Sequence, residues 1–191
     1  MAHQFYVNKC VDAYIVGSKY TKDTLKAKGI LENKIYAYGI PIRKEFRQPR
    51  QIQKKDDVFT ILLMGGSMGI SGIKKCLKEL IQNDHRFRLV VVCGNNRKLK
   101  DELEEKYPGP VNGKDIIIYG FTTEIPQLMD DSDLIITKPG GLTASEAINK
   151  HIPMIIPFFI PGQEEENTEI LVRAGVAVSI SGFSGINETV D

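Results

Sequence analysis

The feature that most constrains this chain is a regular alternation. Apolar runs of four to seven residues take turns with stretches of helical periodicity along its whole length. Strands are expected at Ala13–Val16, Ile35–Tyr38, Val58–Met64, Leu89–Cys93, Ile116–Tyr119, Leu134–Thr137, Met154–Pro157 and Val176–Ile180. Helices are expected near Thr21–Lys28, Ile73–Gln82, Lys98–Tyr107, Ile125–Asp131, Thr143–Asn149 and Glu164–Ala174. In the second of these, Ile73, Leu77, Leu80 and Ile81 share one 3.6-period face, while Lys74, Lys75, Lys78 and Glu79 cover the other. Runs such as Leu89-Val90-Val91-Val92 are apolar on both faces, as parallel strands sandwiched between helices must be. The pattern predicts an α/β fold: a Rossmann-like, doubly wound parallel sheet.

One stretch breaks the rhythm. Arg43 to Asp57 has no periodicity and sets Arg43, Lys44, Arg47, Arg50, Lys54 and Lys55 against one early acid, Glu45. It reads as a solvated linker, with contact to anionic headgroups or phosphate as a second possibility. A short β-α-β stub precedes it and a six-strand unit follows, so residues 1–46 and 47–191 are expected to belong to different domains.

Composition removes several classes. Among 191 residues, 25 Lys and Arg balance 24 Asp and Glu, so the basic excess of a nucleic-acid-binding domain is missing. Cys10, Cys76 and Cys93 are scattered and form no Cys-x-x-Cys, which argues against a disulfide framework or cysteine zinc site and fits a reducing cytosolic setting. The longest apolar run, Ile152 to Ile160, is nine residues with two prolines, against the roughly 20 residues a membrane span requires. The opening Met-Ala-His-Gln lacks the regions of a signal peptide, and both ends read as cut, so a fragment of a longer protein is expected. His3, His85 and His151 are too widely spaced to suggest a metal site.

In an open parallel sheet the ligand-binding loops are those that follow the strands. Four are unusual here. Met64-Gly65-Gly66-Ser67-Met68-Gly69 lets the backbone turn tightly and brings amides close to a phosphate, yet it is neither a Walker A loop nor a true Gly-x-Gly-x-x-Gly. It also fits Gly-x-Ser-x-Gly, the nucleophile elbow of α/β-hydrolases, with Asp133 and His151 following in hydrolase order. Against that, both partners are expected at the opposite edge of the sheet from Ser67. Cys93-Gly94-Asn95-Asn96 reads equally as an ordinary turn with Asn96 as helix N-cap. In Lys138-Pro139-Gly140-Gly141-Leu142-Thr143-Ala144-Ser145-Glu146, two glycines open a helix and leave free amides at the positive end of its dipole, a place suited to a diphosphate. Thr143 and Glu146 also spell a capping box, and spacing does not choose between that and a carboxylate aimed at a sugar hydroxyl pair. Finally, in Pro157-Phe158-Phe159-Ile160-Pro161-Gly162-Gln163-Glu164-Glu165-Glu166-Asn167, dipole-favoured acids stand beside the amides of Gln163 and Asn167, which are able to read neutral hydroxyls. Asp131-Ser132-Asp133 looks like the Asp-x-Asp of some sugar transferases but precedes its strand, which favours solvation over metal binding.

Four motifs in order resemble one family: Gly39-Ile40-Pro41-Ile42-Arg43, Ile61 to Gly69, Ile135 to Ala147, and Pro161-Gly162-Gln163-Glu164-x-x-Asn167. They are similar to the monogalactosyldiacylglycerol synthases and processive diacylglycerol glucosyltransferases, which have the GT-B fold. The peptidoglycan lipid I N-acetylglucosaminyltransferases are more distant relatives. The resemblance implies a UDP-sugar donor domain over 47–191 and the tail of a lipid-acceptor domain over 1–46. It implies inverting transfer of glucose or galactose from UDP-glucose or UDP-galactose to diacylglycerol, with no cofactor and no metal, on the inner face of the cell membrane in the cytoplasm.

On these residues, the resemblance puts Gly66 and Ser67 near the diphosphate and Phe121 and Thr122 beside the uracil. Gly140, Gly141, Leu142 and Thr143 would hold phosphate, Glu146 the ribose hydroxyls, and Gln163, Glu164 and Asn167 the hexose. Arg43 would reach the donor from the linker. His3 resembles a family histidine near the acceptor, although Tyr6 stands where another aromatic is expected. The resemblance places the general base in an acceptor-domain region not represented in these 191 residues, so donor binding without turnover is expected. A lipid I N-acetylglucosaminyltransferase-like enzyme, an α/β-hydrolase using Ser67 and a non-catalytic nucleotide-sugar binding module are the rival readings.

Overall fold

The computed structural model describes residues 7–54, 56–65, 69–162 and 164–191. The chain divides into two compact units, residues 1–42 and 43–191. The first is a β-α-β element. Strands β1 (Tyr14–Val16) and β2 (Ile35–Ala37) pair in parallel around α1 (Lys19–Ala27), with Val16, Leu25, Ile30 and Ile35 as a small core. Ser18 caps α1 by accepting the Thr21 amide at 3.1 Å.

The division falls before position 47 for a physical reason. Phe46, in a single 3₁₀ turn at Lys44–Phe46, is wholly buried, and its carbonyl accepts a hydrogen bond from the Asn149 side chain. Burial of this aromatic makes the start of the linker part of the second unit.

That unit is a six-stranded, all-parallel sheet. Its strands are β3 (Thr60–Met64), β4 (Arg88–Val92), β5 (Asp115–Tyr119), β6 (Leu134–Thr137), β7 (Met154–Ile156) and β8 (Ala177–Ser179), in the order β5-β4-β3-β6-β7-β8. The connecting helices are α2 (Gly69–Gln82), α3 (Arg97–Lys106), α4 (Ile125–Asp130), α5 (Gly141–Asn149) and α6 (Glu165–Arg173), and α7 (Ile186–Val190) follows β8. The alternation read from the sequence thus becomes a Rossmann-like sheet, in which all strands stay parallel and the order of strand addition reverses between β3 and β6. Ile73, Leu77, Leu80 and Ile81 face the core with Ile61, Leu63, Leu89 and Val91. Asn96 caps α3 through the Leu99 amide at 3.0 Å.

Three helices stop in the same way. After α1, α5 and α6 the chain enters the left-handed region at Gly29, His151 and Gly175, with φ of 83°, 54° and 70°. The next residue then donates back into the last turn: Ile30 to Leu25, Ile152 to Ala147 and Val176 to Leu171, at 3.1, 3.1 and 3.2 Å. His151 therefore does a glycine's work at the end of α5.

The linker is bound along the amino edge of the sheet. Asp131 Oδ1 accepts the amides of Gln53 and Lys54 at 2.6 and 2.9 Å. Asp133 Oδ2 accepts Lys54 Nζ at 2.6 Å and the Thr60 amide at 2.9 Å, while Arg50 donates to the carbonyls of Asp130 and Ser132. Among the described residues two lysines are buried. Lys150 pairs with Asp130 at 2.8 Å, and Lys114 donates to the carbonyls of Asn83 and Asn112 beside the Phe87 ring.

Candidate functional site

Because β3 and β6 are adjacent and parallel, with Met64 opposite Thr137, the loops that follow them leave the same edge of the sheet side by side. One begins at the buried Gly65; the other is Lys138-Pro139-Gly140. This is the crevice in which open α/β sheets bind ligands, since the two chains run to opposite sides and leave a gap between them. Gly66 and Ser67 lie outside the described residues.

The second corner is open at its helix. Gly140 is the N-cap of α5, with φ −70° and ψ 131°, and no side chain caps the helix. The first-turn amides of any α-helix lack intrahelical acceptors and sit at the positive end of the dipole. The capping box spelled by Thr143 and Glu146 is not made. Glu146 is buried, and its Oε1 instead accepts Arg43 Nε at 3.0 Å. Arg43 also lies over the Phe46 ring, 4.5 Å from its centre. Leu142 is exposed and Thr143 half-buried.

The loop between β7 and α6 is fastened to this corner. Lys138 Nζ meets Glu164 Oε1 at 2.6 Å, and Glu164 Oε2 accepts the Ile160 amide at 3.1 Å. Asn167 Nδ2 donates to the Pro139 carbonyl at 3.0 Å. Glu164 and Asn167 are therefore fastened to the Lys138-Pro139 corner next to Gly140, with Glu164 engaged on both oxygens. Gln163 lies outside the described residues, as do His3 and Tyr6. Sequence reasoning passed over Lys138; the signal available was a lysine inside the glycine motif with an acid in the facing motif.

Phe121 and Thr122 leave β5 at the same edge, three strand positions from β6, or roughly 14 Å at ordinary strand spacing. Phe121 is 73% exposed, and Thr122 Oγ1 accepts the Glu124 amide at 3.1 Å.

The hydrolase arrangement does not assemble. Asp133 stands where β6 begins and is held by Lys54 and the Thr60 amide, and His151 terminates α5 ahead of β7. Both are at the amino edge, whereas Met64 and Gly65 leave β3 at the carboxyl edge. Asp131 and Asp133 are not merely solvated, as their motif suggested; they anchor the linker. Burial pushes the Cys76 thiol up to about 12 and that of Cys93 up to about 11, which leaves neither a thiolate near neutral pH. Among the described residues no three His, Cys, Asp or Glu gather as metal ligands, and no helix is long and apolar enough to cross a membrane.

A doubly wound sheet with an uncapped glycine corner at its switch point defines the class: a Rossmann-like α/β domain. Residues 60–188 match the model of the glycosyltransferase family 28 C-terminal domain, and the chain belongs to that family. Residues 1–42 match the monogalactosyldiacylglycerol (MGDG) synthase model. Processive diacylglycerol β-glucosyltransferases from Bacillus subtilis and Bacillus pumilus are each 33% identical over 98% of this chain. The chain spans about half the length of these curated relatives, 50% in both cases. Among solved structures, MurG of Acinetobacter baumannii is similar with a TM-score of 0.63 at 16% identity, covering 94% of this chain and 64% of that one. HepE of Anabaena, solved in complex with UDP-glucose, gives 0.59 at 14% identity, covering 96% and 54%. At these identities the structures speak for the fold alone.

Proposed function

We propose that residues 43–191 form the donor-binding half of a UDP-sugar-dependent glycosyltransferase that moves glucose or galactose onto diacylglycerol with inversion. The observation that carries this reading is the adjacency of the two glycine corners on β3 and β6, with the uncapped start of α5 between them. A diphosphate has two or more negative charges to place, and free helix amides together with a dipole end are a complementary environment. Stabilising the departing UDP there lowers the barrier to transfer, because charge develops on the leaving group in the transition state.

In this reading Glu146 receives the ribose hydroxyls, Arg43 lies beside the diphosphate, and the exposed Phe121 flanks the base. The segment around Asn167 faces the hexose. HepE, solved with UDP-glucose, and MnaA of S. aureus, solved with UDP, share the fold, which supports a uridine nucleotide. The curated relatives' diacylglycerol substrate supports the acceptor. No cofactor enters the proposal. A lipid acceptor calls for peripheral contact with a bilayer surface, and the inner face of the cell membrane is the surface we propose.

The test is a titration followed by an assay. UDP should raise the melting temperature of the 191-residue chain in a saturable way, as any ligand specific to the native state does. Joined to an acceptor domain of a relative, the chain should transfer hexose from UDP-glucose or UDP-galactose to diacylglycerol in detergent micelles. No UDP response would end the proposal.

A further inference from the structure

We propose that Lys138 is a positioning residue that acts through Glu164 to hold the segment reading the sugar of the donor; this rests on the donor-binding reading above. Lys138 follows directly on the last residue of β6, so a rigid strand sets its backbone. Its Nζ sits 2.6 Å from Glu164 Oε1, and the Glu164 side chain is 8% exposed. The other carboxylate oxygen takes the Ile160 amide. One carboxylate thus ties three chain positions together: the β6 corner, the middle of the β7–α6 loop and the start of α6.

The loop needs such a tie. Phe158 and Ile160 are exposed, and Gly162 occupies the left-handed region at φ 77°, so its own packing fixes it poorly. A second bond, Asn167 Nδ2 to the Pro139 carbonyl, links the same two elements a turn further on. With Lys138 removed, Glu164 would be a buried carboxylate without its counter-charge. Such a group turns toward water or takes up a proton, and the loop would move with it. The nucleotide corner at Gly140 is built by β6 and α5 and does not need the clasp. Lys138 therefore governs recognition of the hexose more than binding of UDP.

A direct phosphate contact by Lys138 is the rival role, since its side chain passes within 3.6 Å of where a Gly140 Cβ would be. The two roles separate experimentally. Lys138→Met, Lys138→Arg, Glu164→Gln and the Lys138→Met/Glu164→Gln double variant of the 191-residue chain are compared by amide exchange without ligand and by calorimetric titration with UDP, UDP-glucose and UDP-galactose. Lys138→Met should speed exchange of the Ile160 amide about tenfold, and should weaken the preferred UDP-hexose about tenfold more than it weakens UDP. Lys138→Arg should restore both, and the double variant should be no worse than Lys138→Met. Equal losses for UDP and UDP-hexose would make Lys138 a phosphate ligand and overturn the positioning role. Unchanged Ile160 exchange would overturn the clasp itself. A parent chain that binds no UDP would overturn the donor reading and this role with it, whereas a parent that binds UDP with an insensitive clasp overturns this role alone.

Discussion

Arg43 Nε donates to Glu146 Oε1 across 3.0 Å, joining the first residue of the second unit to the helix that opens at the glycine corner. The pair is asymmetric, with side chains 57% and 8% exposed. The arginine is largely exposed to solvent while the carboxylate is buried in the protein. A buried carboxylate next to the proposed diphosphate site is suited to a hydroxyl pair, because it can accept two hydrogen bonds at little cost in its own ordering. Glu146→Ala should weaken UDP at least about tenfold, since tenfold is about 1.4 kcal/mol and a hydrogen bond to a charged group contributes roughly 1.5–3 kcal/mol. The parent should also prefer UDP to 2′,3′-dideoxy-UDP, and the variant should not. Calorimetry with the two nucleotides checks this; a parent indifferent to the ribose hydroxyls would remove Glu146 from the site.

Gly140 separates folding from binding. Its backbone angles suit any residue, and an added Cβ would meet only Lys138 side-chain atoms, at 3.6 and 4.0 Å, which is ordinary contact. Gly140→Ala should therefore leave thermal stability within about 0.5 kcal/mol of the parent. The new methyl group would stand at the mouth of the amide cradle and hold a diphosphate away, so UDP affinity should fall at least about tenfold. A variant that binds UDP like the parent would show that the cradle lies elsewhere.

The expected strands and the first six helices all exist, with boundaries shifted by a few residues, because buried parallel strands and amphipathic helices write their periods directly into the chain. The helix α7 was illegible: its five residues, Ile186-Asn187-Glu188-Thr189-Val190, are too few to show a period, and it is held by Ile186 burial and a bond from Asn187 to the Glu79 carbonyl. The linker's basic side chains were legible as charge but not as structure. Their partners, Asp131 and Asp133, lie some eighty positions away, and no local pattern announces such a pairing. The same holds at the site. Glycine corners are local and could be read, whereas the Arg43–Glu146 and Lys138–Glu164 pairs belong to the tertiary fold.

The linker's attachment predicts a protease result. Asp133 holds Lys54 and the Thr60 amide, and lies 3.7 Å from Arg50 Nη2. Asp133→Ala removes these together and should free residues 50–54 to open locally. Since cleavage of a rapidly opening segment follows its open population, a loss of about 1–2 kcal/mol should speed tryptic cutting after Arg50 or Lys54 roughly tenfold. Mass spectrometry of the fragments checks the site. A cutting rate equal to the parent's would mean that the aspartate does not anchor the linker.

Lys114 should make the chain's stability rise with pH in the alkaline range. Its side chain is fully buried among the Asn83 and Asn112 carbonyls and the Phe87 ring, and burial pushes its ammonium below the usual lysine value, with Asp84 pulling weakly the other way. The folded chain then gives up this proton more readily than the unfolded chain, so between the folded value and about 10.5 the unfolded state carries more protons. Stability rises with pH wherever the unfolded state binds more protons, so the burial penalty is full below the folded value and fades as pH approaches 10.5. Lys114→Met carries no such group. Urea denaturation of parent and variant at pH 7 and pH 10 isolates the effect, because the tyrosines and other lysines titrate in both and cancel in the difference. The parent should gain on the variant between the two conditions. A difference that stays flat, or moves toward the variant, would mean that the fold accommodates the charged ammonium as well as water does.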